Sequence, residues 1–256
     1  APGAHVIETD GLIYPGLVNA HDHPSYNLYD RITFGRLFAN RYQWYSHPAY
    51  WSIADELDAL RDAGQTANLW KWGELRHLIA GTTTVQGARY SEGWDAYAHP
   101  LALIHNAERL NPRIRNEVRP LDLSEASRLT LRQGIDSGRY QRVIVHLSEG
   151  VDEASLAEFC TWRDWGFVDG SAAIIHGVPL GESEYAQMAQ SGARLIWSPQ
   201  SNLWLYGRTA DIPAALRQGV SVSLATDWTL SGSYNLLDEL RVAAALNVEK
   251  YGGLLT

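Results

Sequence analysis

The sequence has almost no cysteine, few lysines and no long apolar run, and each shortage excludes something. One cysteine in 256 residues, Cys160, rules out an internal disulfide. Leu156 and Phe159 share its helical face, which predicts a core position for it. No apolar stretch approaches the roughly 20 residues needed to cross a bilayer, so no membrane is expected as a partner and the chain reads as soluble. Lys71 and Lys250 stand against nineteen arginines, and 21 basic residues against 29 acidic ones give a formal charge of −8. No run of Lys or Arg forms a stripe suited to phosphate backbones, so nucleic acid is not an expected partner either. Low-complexity segments and interdomain linkers are also lacking.

What the chain does have is a series of short apolar runs that each end in a polar, metal-ligating residue. LVNA precedes His21, Asp22 and His23; VIV precedes His146, with Glu149 just beyond; AII precedes His176; SVSLAT precedes Asp227. Four strands that deliver such side chains at their C-terminal ends match a (β/α)8 barrel, whose chemistry sits at that end. The length agrees, since such barrels run to roughly 250 residues. The second half alternates regularly: strand 142–147, helix 152–165, strand 172–176, helix 183–190, strand 194–198, helix 210–218, strand 221–226 and a helix from Asn235. This rhythm implies parallel strands with right-handed crossovers. Gly192 and Gly219 sit at expected helix ends, and Thr209 or Asp211 with Pro213 supplies a helix start.

The first half is less regular. A strand over 16–21 leads into an aromatic loop, helix is expected over 52–80, and TTTVQGA forms a β-branched strand after Gly81. Between Tyr90 and Gln141 two more strands are required, and LALI at 101–104 and IRNEVRP at 114–120 are the candidates. The interval is short for two full βα units, so an α/β barrel distorted or shortened in its middle strands is expected. Residues 1–15 read as the end of a preceding segment or a linker, and 16–256 as the barrel. Cytoplasm is the default localisation.

His21 and His23, two apart on a strand, point to one face and can reach the same ion about 2.0 to 2.1 Å away. An H-x-H pair arises readily by chance, and any single histidine here is better explained as a satisfied buried polar residue or a helix cap. Five such residues in register at strand ends are not. His146 and Glu149 are three apart, so the strand must end near His146 with Glu149 in the loop above the barrel mouth.

With PGLVNAHDHP, GTTTV, HLSE, IIHG, SPQSN, LATDWTLSGS and DEL in this order, the chain resembles the amidohydrolase superfamily, in particular its mononuclear branch of cytosine- and guanine-type deaminases and chlorohydrolases. The resemblance implies one divalent metal, zinc first with iron or manganese as alternatives, held by His21, His23, His146 and Asp227. It also implies that Glu149 shuttles protons and that His176 assists at the tetrahedral carbon; Asp227 is further expected to accept the proton of an activated water. Binuclear relatives bridge their metals with a carboxylated lysine, a role for which neither Lys71 nor Lys250 is placed; Glu117 is a substitute ligand in principle, against a solvated strand-edge reading. The implied reaction is hydrolysis of a C–N bond in a cyclic or aromatic nitrogen compound by a hydrolytic deaminase or cyclic amidohydrolase. Dechlorination or alkylamine release on the same site is the alternative, as is a non-catalytic scaffold of the same fold. The β-sandwich that flanks the barrel in this family would account for residues 1–15.

A small heterocyclic substrate would meet aromatic side chains. Tyr26, Tyr29, Phe34, Phe38, Tyr42, Trp44, Tyr45, Tyr50 and Trp51 all lie in the loop after the first strand and the stretch that follows it. These rings either shape a pocket, pack the loop onto the barrel or form a contact in a homo-oligomer. Trp44, His47, Trp197, Trp204 and Trp228 are the expected substrate contacts, while Ser198, Asn202 and Ser231 are expected to orient loops behind the site. Arg36 and Arg41 are further contacts that the sequence leaves open.

Overall fold

The computed structural model describes residues 8–87 and 103–255. Among the described residues, eight strands follow one another around a barrel: β1 (Leu17–Asn19), β2 (Thr82–Val85), β3 (His105–Asn106), β4 (Ile114–Glu117), β5 (Arg142–Leu147), β6 (Ala172–His176), β7 (Arg194–Trp197) and β8 (Val222–Leu224), all their ladders parallel. Ladders join β1 to β2 to β3 and β4 through β8 in sequence order. The circle returns on itself at β8, where Ala20 N donates to Leu224 O and Asp22 forms a parallel bridge with Asp227. No ladder joins β3 to β4 among the described residues. The shortening expected of the middle strands is visible in the two-residue β3; residues 101–102 of the LALI segment and residues 1–7 lie outside the described residues.

The α-helices among the described residues are α1 (Arg41–Tyr45), α2 (Pro48–Asp62), α3 (Thr66–Ile79), α4 (Ala107–Leu110), α5 (Glu125–Asp136), α6 (Glu153–Asp164), α7 (Glu182–Ser191), α8 (Pro199–Tyr206), α9 (Ile212–Arg217) and α10 (Leu236–Glu249). The helix expected over 52–80 is two helices, because Gly64 with φ of +75° ends α2. Four helices went unanticipated, α1, α4, α5 and α8. Ser124 accepts from Ser127 N to start α5, and α8 begins at Pro199, in the stretch read as a loop, and closes at Gly207 with φ of +65°.

Alternation along the strands builds two apolar layers. Val143, Val145, Leu147, Ala172, Ile174 and Leu195 face outward onto Phe159, Trp162, Tyr185 and Met188 of α6 and α7. Ile144, Ala173, Ile175, Ile196 and Ala225 fill the barrel. Both faces are therefore covered, which is why these strands read as near-continuous apolar runs. Phe159 and Trp162 take the inward positions of α6, so Cys160 is half-buried rather than a core residue.

Two glycines permit close backbone approach at the barrel mouth. A Cβ on Gly87, whose φ is +100°, would lie 2.1 Å from Asp22 O, and one on Gly232 would lie 1.9 Å from Thr226 O. Neither neighbour can move without disturbing the β8 end. Gly232→Ala is expected to lower stability by about 1–3 kcal/mol, read from chemical denaturation midpoints, through forced displacement of the loop after β8.

Candidate active site

The backbone brings four ligand atoms together where β1, β5 and β8 end. Asp227 N donates to His21 O at 3.1 Å and His23 N donates to Asp227 O at 2.7 Å, so the two chain segments hold each other in register. His21 Nε2 lies 3.2 Å from His23 Nε2, and His23 Nε2 lies 3.3 Å from His146 Nε2. Asp227 Oδ1 is 3.4 Å from His21 Nε2 and 3.6 Å from His23 Nε2. All four donors fall within 4.8 Å of one another, the only such group of three or more among the described residues. Four donors around one ion at 2.0–2.1 Å in a tetrahedron would be spaced about 3.4 Å apart.

Hydrogen bonding points the His21 lone pair into this cluster. Gln86 commits its amide nitrogen to Glu108 Oε1 at 2.7 Å, which leaves Gln86 Oε1 to accept from His21 Nδ1 at 2.9 Å. His21 Nε2 is then the bare nitrogen. Glu108 is fixed in turn by Gly87 N and Asn106 Nδ2. Asp227 turns its second oxygen to Ser201 Oγ at 2.6 Å, and Ser201 meets Ser231, which accepts from Trp228 Nε1. His146 Nδ1 is buried without a hydrogen-bond partner.

Burial and mutual repulsion keep two of the imidazoles neutral. Desolvation, with the neighbouring His21, lowers His23 to about 3, and the same causes hold His146 well below the ordinary histidine range. Burial also opposes charge on His21, yet its bond to Asp227 and the carboxylate's charge raise it. Burial pushes Asp227 up, but the His21 bond and the surrounding histidines hold it well below the usual carboxylate range. The cluster therefore accommodates one positive charge, a proton on His21 or a cation among the four donors. The residues present fit a divalent metal: three convergent imidazole nitrogens, one carboxylate oxygen and a fixed His21 tautomer.

Beside this cluster lie Glu149 and His176. Asn202 donates its amide nitrogen to Thr209, so its oxygen accepts from His176 Nδ1 at 2.9 Å. His176 Nε2 faces Glu149 Oε2 at 3.5 Å. Glu149 Oε1 accepts from Tyr206 OH at 2.7 Å and Trp44 Nε1 at 3.1 Å, and Arg41 Nε stands 3.8 Å from Oε2. The non-glycine residues with positive φ among those described are Ser148 at 56°, His176 at 76° and Asp227 at 68°, all in this site. Alternation alone would send His176 outward with Ile174; its left-handed backbone turns it into the mouth.

A pocket with about 690 Å³ of empty space, its open mouth included, stands over these groups. Tyr26, Trp44, Tyr50 and Trp228 wall it, and Tyr45, Arg41, Val118 and Arg119 form its outer part. Of the five residues expected to contact substrate, Trp44 and Trp228 line this pocket. His47, Trp197 and Trp204 do not line it. His47 accepts from Ala49 N to cap α2 and packs on Phe34; Trp197 faces the outer core and donates to Thr209; Trp204 donates to Ile32 O under Arg31. Asn202 bonds His176 and Ser231 bonds Ser201 behind Asp227, whereas Ser198 Oγ has no partner. Glu117 pairs with Arg115 at 2.6 Å, Lys71 lies on α3 and Lys250 caps α10, so none joins the cluster.

No family model matches the chain. A 5-methylthioadenosine/S-adenosylhomocysteine deaminase of Haloarcula marismortui is 25% identical over 274 residues, covering 93% of this chain and 62% of the relative. A zinc-bound adenosine deaminase structure from Xanthomonas campestris covers 91% of this chain and 60% of its own at a TM-score of 0.60 and 20% identity. Guanine deaminase of E. coli covers 92% and 64% at a TM-score of 0.65 and 21% identity. These likenesses show the barrel fold. The chain spans less than two thirds of the length of the relatives it matches.

Gln86→Leu, which leaves His21 Nδ1 unpaired, is expected to weaken metal affinity by roughly 10- to 100-fold, measured by competition with a chromogenic chelator. Because the raised His21 must lose its proton before it can ligate, affinity should fall as pH drops below its titration and level off above it. Calorimetric titration with zinc in two buffers of different ionisation enthalpy should report a proton released below that point.

Proposed function

As a member of the amidohydrolase superfamily, this chain is, we propose, the barrel of a metal-dependent hydrolase that deaminates a planar amino-substituted heterocycle. The observation that carries this reading is the convergence of three imidazole nitrogens and one carboxylate oxygen at the base of an aromatic-walled pocket that also holds Glu149 and His176. His21, His23, His146 and Asp227 would hold one divalent ion. When bound, such an ion supplies Lewis acidity and brings the ionisation of water to near neutral pH.

The chain's own residues account for the proton movements. Asp227, whose Oδ2 is occupied by Ser201, has Oδ1 to receive the proton of the attacking water. Glu149 has Oε1 filled by Tyr206 and Trp44, leaving Oε2 to deliver a proton to the ring nitrogen and to recover one from the added hydroxyl as the C–N bond breaks, while the proton taken up by Asp227 leaves with the amine. Water adds to the ring carbon, the C–N bond to the exocyclic nitrogen breaks, and the products are the oxo heterocycle and ammonia. His176, held through Nδ1 by Asn202, presents Nε2 to the pocket 3.5 Å from Glu149 Oε2, where it would donate to the new oxygen when that nitrogen carries a hydrogen. Positioned donors of this kind are worth about 3 kcal/mol on the developing oxyanion. Tyr26, Trp44, Tyr50 and Trp228 would stack against a flat ring and exclude water around it.

The named relatives and neighbours act on purine compounds, so purines bearing an exocyclic amine are the first class to test. Protein purified without added metal or chelator is expected to contain about one divalent ion per chain by elemental analysis, with zinc the leading identity. Glu149→Gln should retain the metal and the fold while ammonia release drops at least about 100-fold. A variant with near-normal turnover would remove Glu149 from the reaction.

A further inference from the structure

Helix α8 touches every residue assigned a proton-handling role above. Its first turn supplies Ser201 to Asp227 and Asn202 to His176, and its last residue, Tyr206, reaches Glu149. Eight residues therefore set three separate side chains, and a small rotation of this helix would disturb all of them together. Yet the helix lacks the usual support at its start. Pro199 has no N–H to give, and Ser198, at the N-cap, makes no side-chain cap bond and buries its hydroxyl without a partner.

The missing cap comes from another helix. Glu239, in the first turn of α10, is fully buried and accepts from Gln200 N through Oε1 at 2.9 Å. Its Oε2 is buried with no hydrogen-bond partner. Burial, with Asp227 adding like charge, pushes this carboxyl up to about 8, against the pull of Ser233 and of the Gln200 amide. Burying a carboxyl is costly, and leucine would satisfy packing alone. No reacting group contacts Glu239, and the mechanism above does not use it.

We propose that Glu239 is a positioning residue: by capping α8 from α10 it fixes Ser201, Asn202 and Tyr206, and through them the orientation of Asp227, His176 and Glu149. The inference rests on the metal-hydrolase reading and deepens it. Metal affinity and turnover then depend on a side chain that meets neither ion nor substrate.

The test uses the full chain loaded with Co(II), whose visible spectrum reports ligand geometry without turnover. Glu239→Leu should stay folded by circular dichroism, bind Co(II) roughly 10- to 100-fold more weakly and show altered d–d bands. Once it is saturated with metal, kcat should fall while KM changes little. Glu239→Gln, which keeps an acceptor for Gln200 N, should restore spectrum, affinity and kcat. Should the leucine variant not fold, Glu239→Asp, with the carboxylate drawn back by one methylene, should shift the bands in the same direction. Wild-type spectrum and affinity in the leucine variant, or in the aspartate variant where that one is used, would overturn the inference, as would a glutamine variant as impaired as leucine. Wild-type protein that takes up no Co(II) would overturn the hydrolase reading and this inference with it, whereas normal wild-type binding with unaltered variants overturns the inference alone.

Discussion

The site depends on the backbone exchange where β8 meets β1. Asp227 gives its N–H to His21 and receives one from His23, so the carboxylate ligand is fixed between the two histidines by main chain rather than by side-chain choice. Behind this seam Asp22, pointing away from the cluster, accepts from Asn19, Asn27 and Thr226 and lies 3.4 Å from His77. The middle residue of the His-Asp-His run therefore closes the barrel while its neighbours face the metal position. A polar residue buried so completely persists because each of its oxygens is engaged.

The cost of building such a site is visible in the backbone. Ser148, His176 and Asp227 hold left-handed conformations that cost about 1–3 kcal/mol each in residues with a Cβ. The surrounding structure over-determines them: Ser148 N is bound by Glu158 Oε2, His176 by Asn202, and Asp227 by His21 and Ser201. Strain and desolvation act in the same direction. The left-handed turns bring polar groups into a space too dry to charge them freely, and that dryness keeps His23 and His146 as neutral ligands.

Much of this arrangement was legible in the sequence, for a definite reason. Strands buried on both faces are written as apolar runs, and a polar residue at the end of such a run marks the mouth of the barrel; this exposed His21, His23, His146, His176 and Asp227. Three kinds of feature were not legible. Helix α8 is buried nearly all round, so it has no amphipathic stripe, and its start hides behind a Ser-Pro pair. Gln86, Ser201 and Tyr206 act through single hydrogen bonds across 65, 26 and 57 residues of sequence, and no local pattern encodes such partners. The tryptophans were ranked by nearness to strand ends, but Trp197 lies on the outward side of β7 and Trp204 on a helix that turns it toward Ile32, so proximity along the chain misplaced both. Gln86, which directly follows the TTTV strand, occupied the same kind of strand-end position as the histidines and could have been found by the same rule.

Of the readings that the aromatic loop after β1 admitted, the structure joins two, packing onto the barrel and shaping a pocket. Trp44 packs edge-on against Tyr50 and Trp228, with ring centroids 5.4 and 5.3 Å away, within one buried cluster. Its indole N–H meanwhile meets both Glu149 and Tyr206. The wall that would receive a flat ring is thus bonded to the carboxylate that would protonate it. Any shift of the α1 segment that reshapes the pocket must also move the hydrogen bond that aims Glu149. On the proposed reading, substrate fit and proton delivery would be coupled through a single indole, and the loop would be part of the chemistry as well as of the binding surface.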